Sequence, residues 1–175
     1  PKQFISLFGD LSLFDLTLQR INNRDLFTKP IIVTSEEYLS FVEESLSKTG
    51  LEVERVILEP ESKNTFSALA LPVLASIKQN KEERYMVLPS DHYIPLNKSF
   101  YETCTNIKNL FRREALTLLG VLPDNPSVEY GYISIKSSNE ELKYVKSFIE
   151  KPKLDKAKEL LKQPDTLWNS GIFCF

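Results

Sequence analysis

Apolar positions recur with two different periods along this chain, and the switches between them mark out its elements. From Ser12 to Ile21, Leu13, Leu16 or Thr17, and Arg20 or Ile21 fall at i, i+3, i+4 and i+7 or i+8, which predicts an amphipathic helix with Ser12 as its N-cap. Pro30-Ile31-Ile32-Val33-Thr34 is short and β-branched, so it reads as a buried strand, and Glu36 to Ser47 reads as a helix closed by Gly50. Val53 to Leu58 is the next strand. The same form then recurs as helix from Asn64 to Lys78, strand from Tyr85 to Leu88, helix from Ser99 to Phe111 and strand from Leu116 to Val121. Pro72 inside the third helix costs about 3 kcal/mol or kinks it, so a bend or a later start is expected there. Strand-helix alternation of this kind predicts an α/β fold with a mostly parallel central sheet and helices on both faces. After Pro123 the pattern changes to strands at Tyr130 to Ile135 and Val145 to Ile149, a short charged helix from Leu154 to Leu161, and a final strand.

Length and composition narrow the class of protein. The 175 residues suit one domain with its own core. Hydrophobic residues are 42% and charged residues 26%, the balance of a globular protein. No apolar run reaches the roughly 20 residues that span a bilayer, and the N-terminus lacks the basic-then-apolar layout of a signal peptide, so no membrane partner and a cytoplasmic setting are expected. A formal net charge of -2, with both signs mixed along the chain, gives no field to attract nucleic acid; a small-molecule ligand fits better. Cys104 and Cys174 have no metal-ligand spacing and read as two reduced thiols. The chain opens on Pro1-Lys2-Gln3-Phe4 and stops within the apolar alternation Gly171-Ile172-Phe173-Cys174-Phe175, which predicts one partial domain over residues 1–175, cut from a longer protein at both ends.

In an open parallel α/β sheet the ligand crevice lies beyond the carboxyl ends of the strands. Polar clusters stand at four such ends: Glu59-Pro60, Pro89-Ser90-Asp91-His92, Pro123-Asp124 and Glu150-Lys151-Pro152. Asp91 reads either as a turn or N-cap acid after a proline, or as an oxygen ligand for Mg2+, which takes one or two carboxylates and completes its shell with water and phosphates. His92, the only histidine, reads as a hydrogen-bonded turn residue, since one histidine alone makes no zinc site. Glu150-Lys151 is either a chance charged pair or a clamp in which the carboxylate accepts sugar hydroxyls and the ammonium meets a phosphate. Asn64-Thr65 reads as a helix N-cap, whose backbone N–H groups also suit an anion or a base edge. Asn169-Ser170-Gly171 is a turn signal, with an amide that can read sugar hydroxyls.

Taken in order, PKQF (1–4), ILEPESKNT (57–65), LPSDH (88–92), GVLPDNPSVEYGYI (120–133), FIEKP (148–152) and WNSGIF (168–173) resemble the sugar-phosphate nucleotidyltransferases, most closely the branch that works on mannose 1-phosphate and GTP. The resemblance runs over nearly the whole chain. It implies a Rossmann-like nucleotide-diphospho-sugar transferase fold and a reaction in which GTP and mannose 1-phosphate give GDP-mannose and pyrophosphate, with Mg2+ as cofactor and room for a homo-oligomer. It implies Lys2 and Asp91 as catalytic residues, the first on nucleotide phosphates and the second on the metal. Glu59, Asn64, Thr65 and Pro89 fall with Asp91 on the nucleotide side, and Gly131, Glu150, Lys151 and Asn169 on the sugar-phosphate side. The family's glycine-rich GxGxR-type loop, which stands just before PKQF, is absent from these residues, as is a second metal-binding aspartate beyond WNSG. The usual Gly-Arg-Asn-Thr-Ala-Pro appears as Ser62-Lys63-Asn64-Thr65-Phe66-Ser67, which touches base preference. Turnover by the isolated chain is therefore expected to be absent or nearly so. Two other readings remain: a nucleotidyltransferase for glucose 1-phosphate with UTP or dTTP, and a non-catalytic nucleotide-sugar-binding regulator.

Overall fold

The structure, a computed structural model, describes all residues except 60–63, 79–82, 96 and 111–114, and gives no side-chain description at 7, 8, 64–69 and 75. The described residues form two compact units, Pro1–Arg84 with Pro89–Asn109, and Tyr85–Leu88 with Leu110–Phe175. Among them no helix is long and apolar enough to cross a membrane.

The first unit begins with a 3-10 turn at Lys2–Phe4 and a hairpin of β1 (Ser6–Phe8) and β2 (Leu11–Ser12), which turns at Gly9 with φ +65°. Helix α1 (Leu13–Arg20) follows at once. Its start is a capping box: the Asp15 N–H donates to Ser12 Oγ at 3.1 Å and the Ser12 N–H donates to Asp15 Oδ2 at 2.9 Å, so two backbone donors that a helix start leaves orphaned are satisfied. The apolar stripe of α1 buries Leu13, Phe14 and Leu18, joined in the core by Ile32, Val42 and Leu51. Strand β3 (Ile31–Ser35), helix α2 (Leu39–Thr49) and strand β4 (Arg55–Glu59) make a βαβ crossover whose two strands pair in parallel, Ile31 with Arg55 through Ser35 with Glu59. Gly50 ends α2 in the left-handed conformation at φ +65°, as its place in the sequence predicts. Helix α3 (Asn64–Lys78) packs against both strands and is continuous across Pro72. Helix α4 (Lys98–Leu110) buries Phe100 and Cys104; burial pushes the Cys104 thiol up to about 11 despite the nearby Arg20 cation.

The second unit is a five-stranded sheet centred on β9 (Thr166–Cys174). Strands β5 (Met86–Val87), β6 (Thr117–Val121) and β7 (Tyr132–Ile135) all run antiparallel to β9, so these three share one direction, and β8 (Val145–Ile149) closes the order on the far side of β7. The fold is thus mixed α/β: parallel pairing lies at β3–β4, while every ladder of the larger sheet involves a reversed strand. Helix α5 (Leu154–Leu161) covers this sheet through Ala157 and Leu160, which pack with Tyr132, Ile149 and Trp168. The Asn169-Ser170-Gly171 turn signal proves to be a bulge inside β9 rather than a break. Two steps on β6, Leu118 to Gly120, face four on β9, Phe173 to Asn169. Ser170 Oγ donates to the Leu119 carbonyl and accepts from the Ile172 N–H, Asn169 Oδ1 accepts from the Gly171 N–H, and Gly171 takes φ +71°.

Candidate functional site

In the first unit the parallel pairing aligns the carboxyl ends of β3 and β4, so Ser35 stands beside Glu59. These ends line a cavity of about 170 Å3 together with Thr34, Tyr38, Gln3 and Ser90. Phe4 and Phe14 line it too and meet edge to face at 5.3 Å, and Phe4 stacks on Phe41 at 5.2 Å, which fixes one apolar wall. Ser35 Oγ is buried and has no hydrogen-bond partner among the described residues. An apolar wall with a hydroxyl and a carboxylate at its edge is the make-up of a small-ligand site. Ser90 enters it from the turn that follows β5 and that also carries Asp91, whereas Pro89, placed on the nucleotide side by the sequence, does not line it.

Lys2 Nζ lies 2.8 Å from Asp91 Oδ2, although the two residues come from opposite ends of the unit's sequence. Burial alone would raise the Asp91 carboxyl; the hydrogen bond and charge of Lys2, with a smaller pull from His92, outweigh it and hold the carboxyl below its ordinary value. The same hydrogen bond and charge raise Lys2. His92 Nε2 is 3.8 Å from Asp91 Oδ1, and burial, with the charges of Lys2 and Arg20, lowers the imidazole against the attraction of Asp91. His92 is then a neutral neighbour near neutral pH. Asp91 is therefore an ionised, partly exposed carboxylate (29%) that already faces a cation, which suits a hard divalent ion needing one protein oxygen and otherwise held by water and phosphate. A cage made wholly of protein ligands does not fit, for no group of three or more His, Cys, Asp or Glu side chains converges among the described residues.

In the second unit, β7 and β9 bring three of the sugar-side residues together. The Asn169 N–H donates to the Gly131 carbonyl at 2.8 Å, and a Cβ built on Gly131 would stand 2.8 Å from Glu150 Oε2, 2.9 Å from Phe148 Cζ and 3.5 Å from Asn169 Cβ. The Glu150 carboxylate thus closes over bare backbone. A side chain there would push the Glu150 carboxylate and the Phe148 ring aside. Asn169 Oδ1 accepts from the Gly171 N–H within the bulge, and no hydrogen bond from its Nδ2 is found among the described residues. Lys151, at the end of β8 and before Pro152, has φ +41°, the one non-glycine residue with positive φ among those described. A residue before proline prefers extended backbone, and a left-handed lysine is strained, a conformation that persists where surrounding structure imposes it.

Asn64 and Thr65 are the first two residues of α3, and their side chains, like Pro60, lie outside the described residues. Among the described residues, Pro123-Asp124 makes a local hydrogen bond, from Asn125 Nδ2 to Asp124 Oδ1. Sequence reasoning passed over Gln3, Thr34, Ser35 and Tyr38, and named Ser90 only as a member of its strand-end cluster. The signal for two of them was present: Thr34-Ser35 is the polar end of β3, the kind of strand end that singled out Glu59. It also passed over the Trp168 indole N–H, which is buried with no partner among the described residues while Tyr130 packs edge-on at 5.0 Å.

A parallel crossover with a small cavity and polar groups gathered at its strand ends defines a protein of the α/β class. The chain belongs to the nucleotidyl transferase family, whose model matches residues 1–175. It is similar to the alginate biosynthesis protein AlgA of Pseudomonas fluorescens, 35% identical over 100% of this chain and 37% of that protein. It is also similar to mannose-1-phosphate guanylyltransferase of Sinorhizobium fredii, 33% identical over 99% of this chain and 34% of that one. The solved structure of mannose-6-phosphate isomerase from Helicobacter pylori superposes with a TM-score of 0.85 at 38% identity, covering 100% of this chain and 65% of that one. The chain spans little more than a third of the length of these curated relatives. Its fold is the Rossmann-like fold of the family.

Proposed function

We propose that the protein transfers GMP from GTP to mannose 1-phosphate, giving GDP-mannose and pyrophosphate. A phosphate oxygen of mannose 1-phosphate attacks the α-phosphorus of GTP. The new P–O bond forms as the bond to the β-phosphate bridging oxygen breaks, and pyrophosphate departs in line; no covalent enzyme intermediate forms. Such a transfer asks the protein mainly for positioning and charge neutralisation. The observation that carries the reading is the Lys2–Asp91 pair at 2.8 Å beside the pocket bounded by Glu59 and Ser90. Lys2, mostly exposed at 76%, is free to swing from Asp91 to nucleotide phosphate. Asp91 would hold Mg2+, which when bound neutralises phosphate charge. Glu59, Asn64, Thr65 and Pro89 serve the nucleoside. In the second unit Glu150 accepts from sugar hydroxyls, the Asn169 amide donates to them, the bare Gly131 backbone allows the approach and Lys151 meets the sugar-side phosphate. A cytoplasmic setting suits work on free nucleotide and sugar phosphate.

The altered guanine-side motif, Ser62-Lys63-Asn64-Thr65-Phe66-Ser67, favours one second reading, in which the same chemistry uses glucose 1-phosphate with UTP or dTTP. The test is a panel on the full-length protein: GTP, UTP, dTTP and ATP against mannose 1-phosphate and glucose 1-phosphate, with Mg2+, scored by chromatography of the nucleotide sugar and by pyrophosphate release. GDP-mannose as the dominant product is expected. A UDP- or dTDP-sugar as the dominant product would establish the second reading, and no nucleotide sugar from any pair would sink both.

A further inference from the structure

Arg20, the last residue of α1, is fully buried at 0% exposure, yet among the described residues it makes no ion pair. Its Nε and Nη2 both donate to the backbone carbonyl of Ile94, at 3.3 and 3.0 Å. Nη1 donates to Thr17 Oγ1 at 3.4 Å on its own helix, and the guanidinium lies over the Phe100 ring, 5.6 Å from its centre. A buried guanidinium without a counter-ion carries a large desolvation cost, and a methionine or leucine would fill the same volume without it. What the charge achieves is visible at the other end of its hydrogen bonds. Residues 92–95 form no regular secondary structure, so their carbonyls need partners from elsewhere. Arg20 supplies a rigid two-pronged donor to one of them.

The segment from Asp91 to Ile94 is thereby gripped at both ends by cations from the N-terminal part of the chain, Lys2 on the Asp91 carboxylate and Arg20 on the Ile94 carbonyl. The two differ in kind. Lys2 is exposed and able to leave when a phosphate arrives, whereas Arg20 is locked between Phe100, Thr17 and Ile94. We propose that Arg20 is a positioning residue that fixes the Asp91–Ile94 segment through the Ile94 carbonyl, so that the Asp91 carboxylate keeps its place when Lys2 releases it. The catalytic part of this inference rests on the role given to Asp91 above; the structural part does not.

The two parts are read separately in the full-length protein carrying Arg20→Met or Arg20→Lys. The structural readout is limited chymotrypsin cleavage after Tyr93, which is 56% exposed within the gripped segment. Arg20→Met should be cut there at least about tenfold faster than wild type while cleavage at other sites is unchanged, because only local opening has become easier. The kinetic readout is the split between kcat and KM: kcat should fall by about tenfold or more, since displacement of a positioned group by an ångström is felt at that scale, with KM for mannose 1-phosphate within about twofold. Arg20→Lys, which keeps the charge and one donor, should fall between wild type and Arg20→Met on both readouts, and it stands in for the methionine variant if that one does not fold. Cleavage after Tyr93 at the wild-type rate, or equal acceleration at every site, would overturn the proposal. A wild-type protein without nucleotide transfer would remove the proposed function and leave the cleavage comparison to decide on Arg20.

Discussion

The two units hold their polar groups by opposite means. In the first, Asp91 sits in an irregular segment, and charges on the Lys2 turn and at the end of α1 grip it. In the second, Gly131 and Asn169 are set by backbone, through a strand ladder and a bulge stapled by Ser170, and the Glu150 side chain closes over the bare Gly131. Charge-held groups can exchange partners when a ligand brings its own charge. Backbone-held groups can only keep or lose their shape. A reaction that binds phosphates and a sugar asks for both, mobility where phosphate charge arrives and rigidity where hydroxyls are recognised.

The sharpest break in that contrast is Asp91→Asn, which removes charge at nearly constant volume. Turnover of the full-length protein should fall by about a thousandfold, while the midpoint of thermal unfolding moves by only a few degrees. Normal activity in this variant would make Asp91 no more than a turn residue. In the second unit the matching change is Gly131→Ala, which drives a methyl against Glu150 and Phe148; an increase of about tenfold or more in KM for the sugar phosphate is expected, with a stability loss of about 1–3 kcal/mol by denaturant titration. Gly120→Ala makes the same test on the other side of β9, where the added Cβ meets Leu167 at 2.5 Å opposite Asn169 in the bulge: stability should fall, and KM for the sugar phosphate should rise less than in Gly131→Ala. Lys151→Gly relieves the left-handed backbone and should gain about 0.5–1 kcal/mol while lowering kcat/KM, since it also removes the ammonium placed on the sugar-side phosphate. A gain in both would show that the strain is idle.

The smallest effect is one of pH, in the first unit's frame. Burial opposes ionisation of Asp15, but hydrogen bonds from Ser12, Ser45 and Lys48 prevail and lower its carboxyl below the ordinary value near 3.8. A lowered folded-state pKa gives stability that is present above the unfolded value and lost as pH falls through the folded one. Unfolding midpoints of wild type and Asp15→Asn should therefore differ above about pH 4 and converge below it. A gap that persists at pH 2 would mean that shape, not charge, sets this cap.

Sequence periodicity placed α3, β8 and α5 at their observed bounds and α1 behind its Ser12 cap: the helices carry apolar periodicity or a capping signal, and β8 shows as a short run with β-branched ends stopped by Glu150-Lys151-Pro152. The hairpin of β1 and β2 escaped, since strands of three and two residues are too short to show a period, although Gly9-Asp10 is a turn signal. Strand direction escaped as well: period-two alternation is the same in a strand and its reverse, so Thr166–Cys174 gave no hint that it opposes its neighbours. Of the candidate site, the residue types at strand ends were legible and their partners were not. Nothing near Asp91 in the chain announces Lys2, and nothing near Arg20 announces Ile94, because both contacts depend on tertiary folding.

The only two thiols are divided between the units, Cys104 on α4 in one and Cys174 on β9 in the other, and both are buried. Each single-cysteine version of the protein is then a ready-made clock for the opening of one unit, started by adding a maleimide dye and read by the rate at which label accumulates. With those two clocks running side by side, the order in which the halves come apart becomes a measurable sequence of events, without inserting any probe that evolution did not put there.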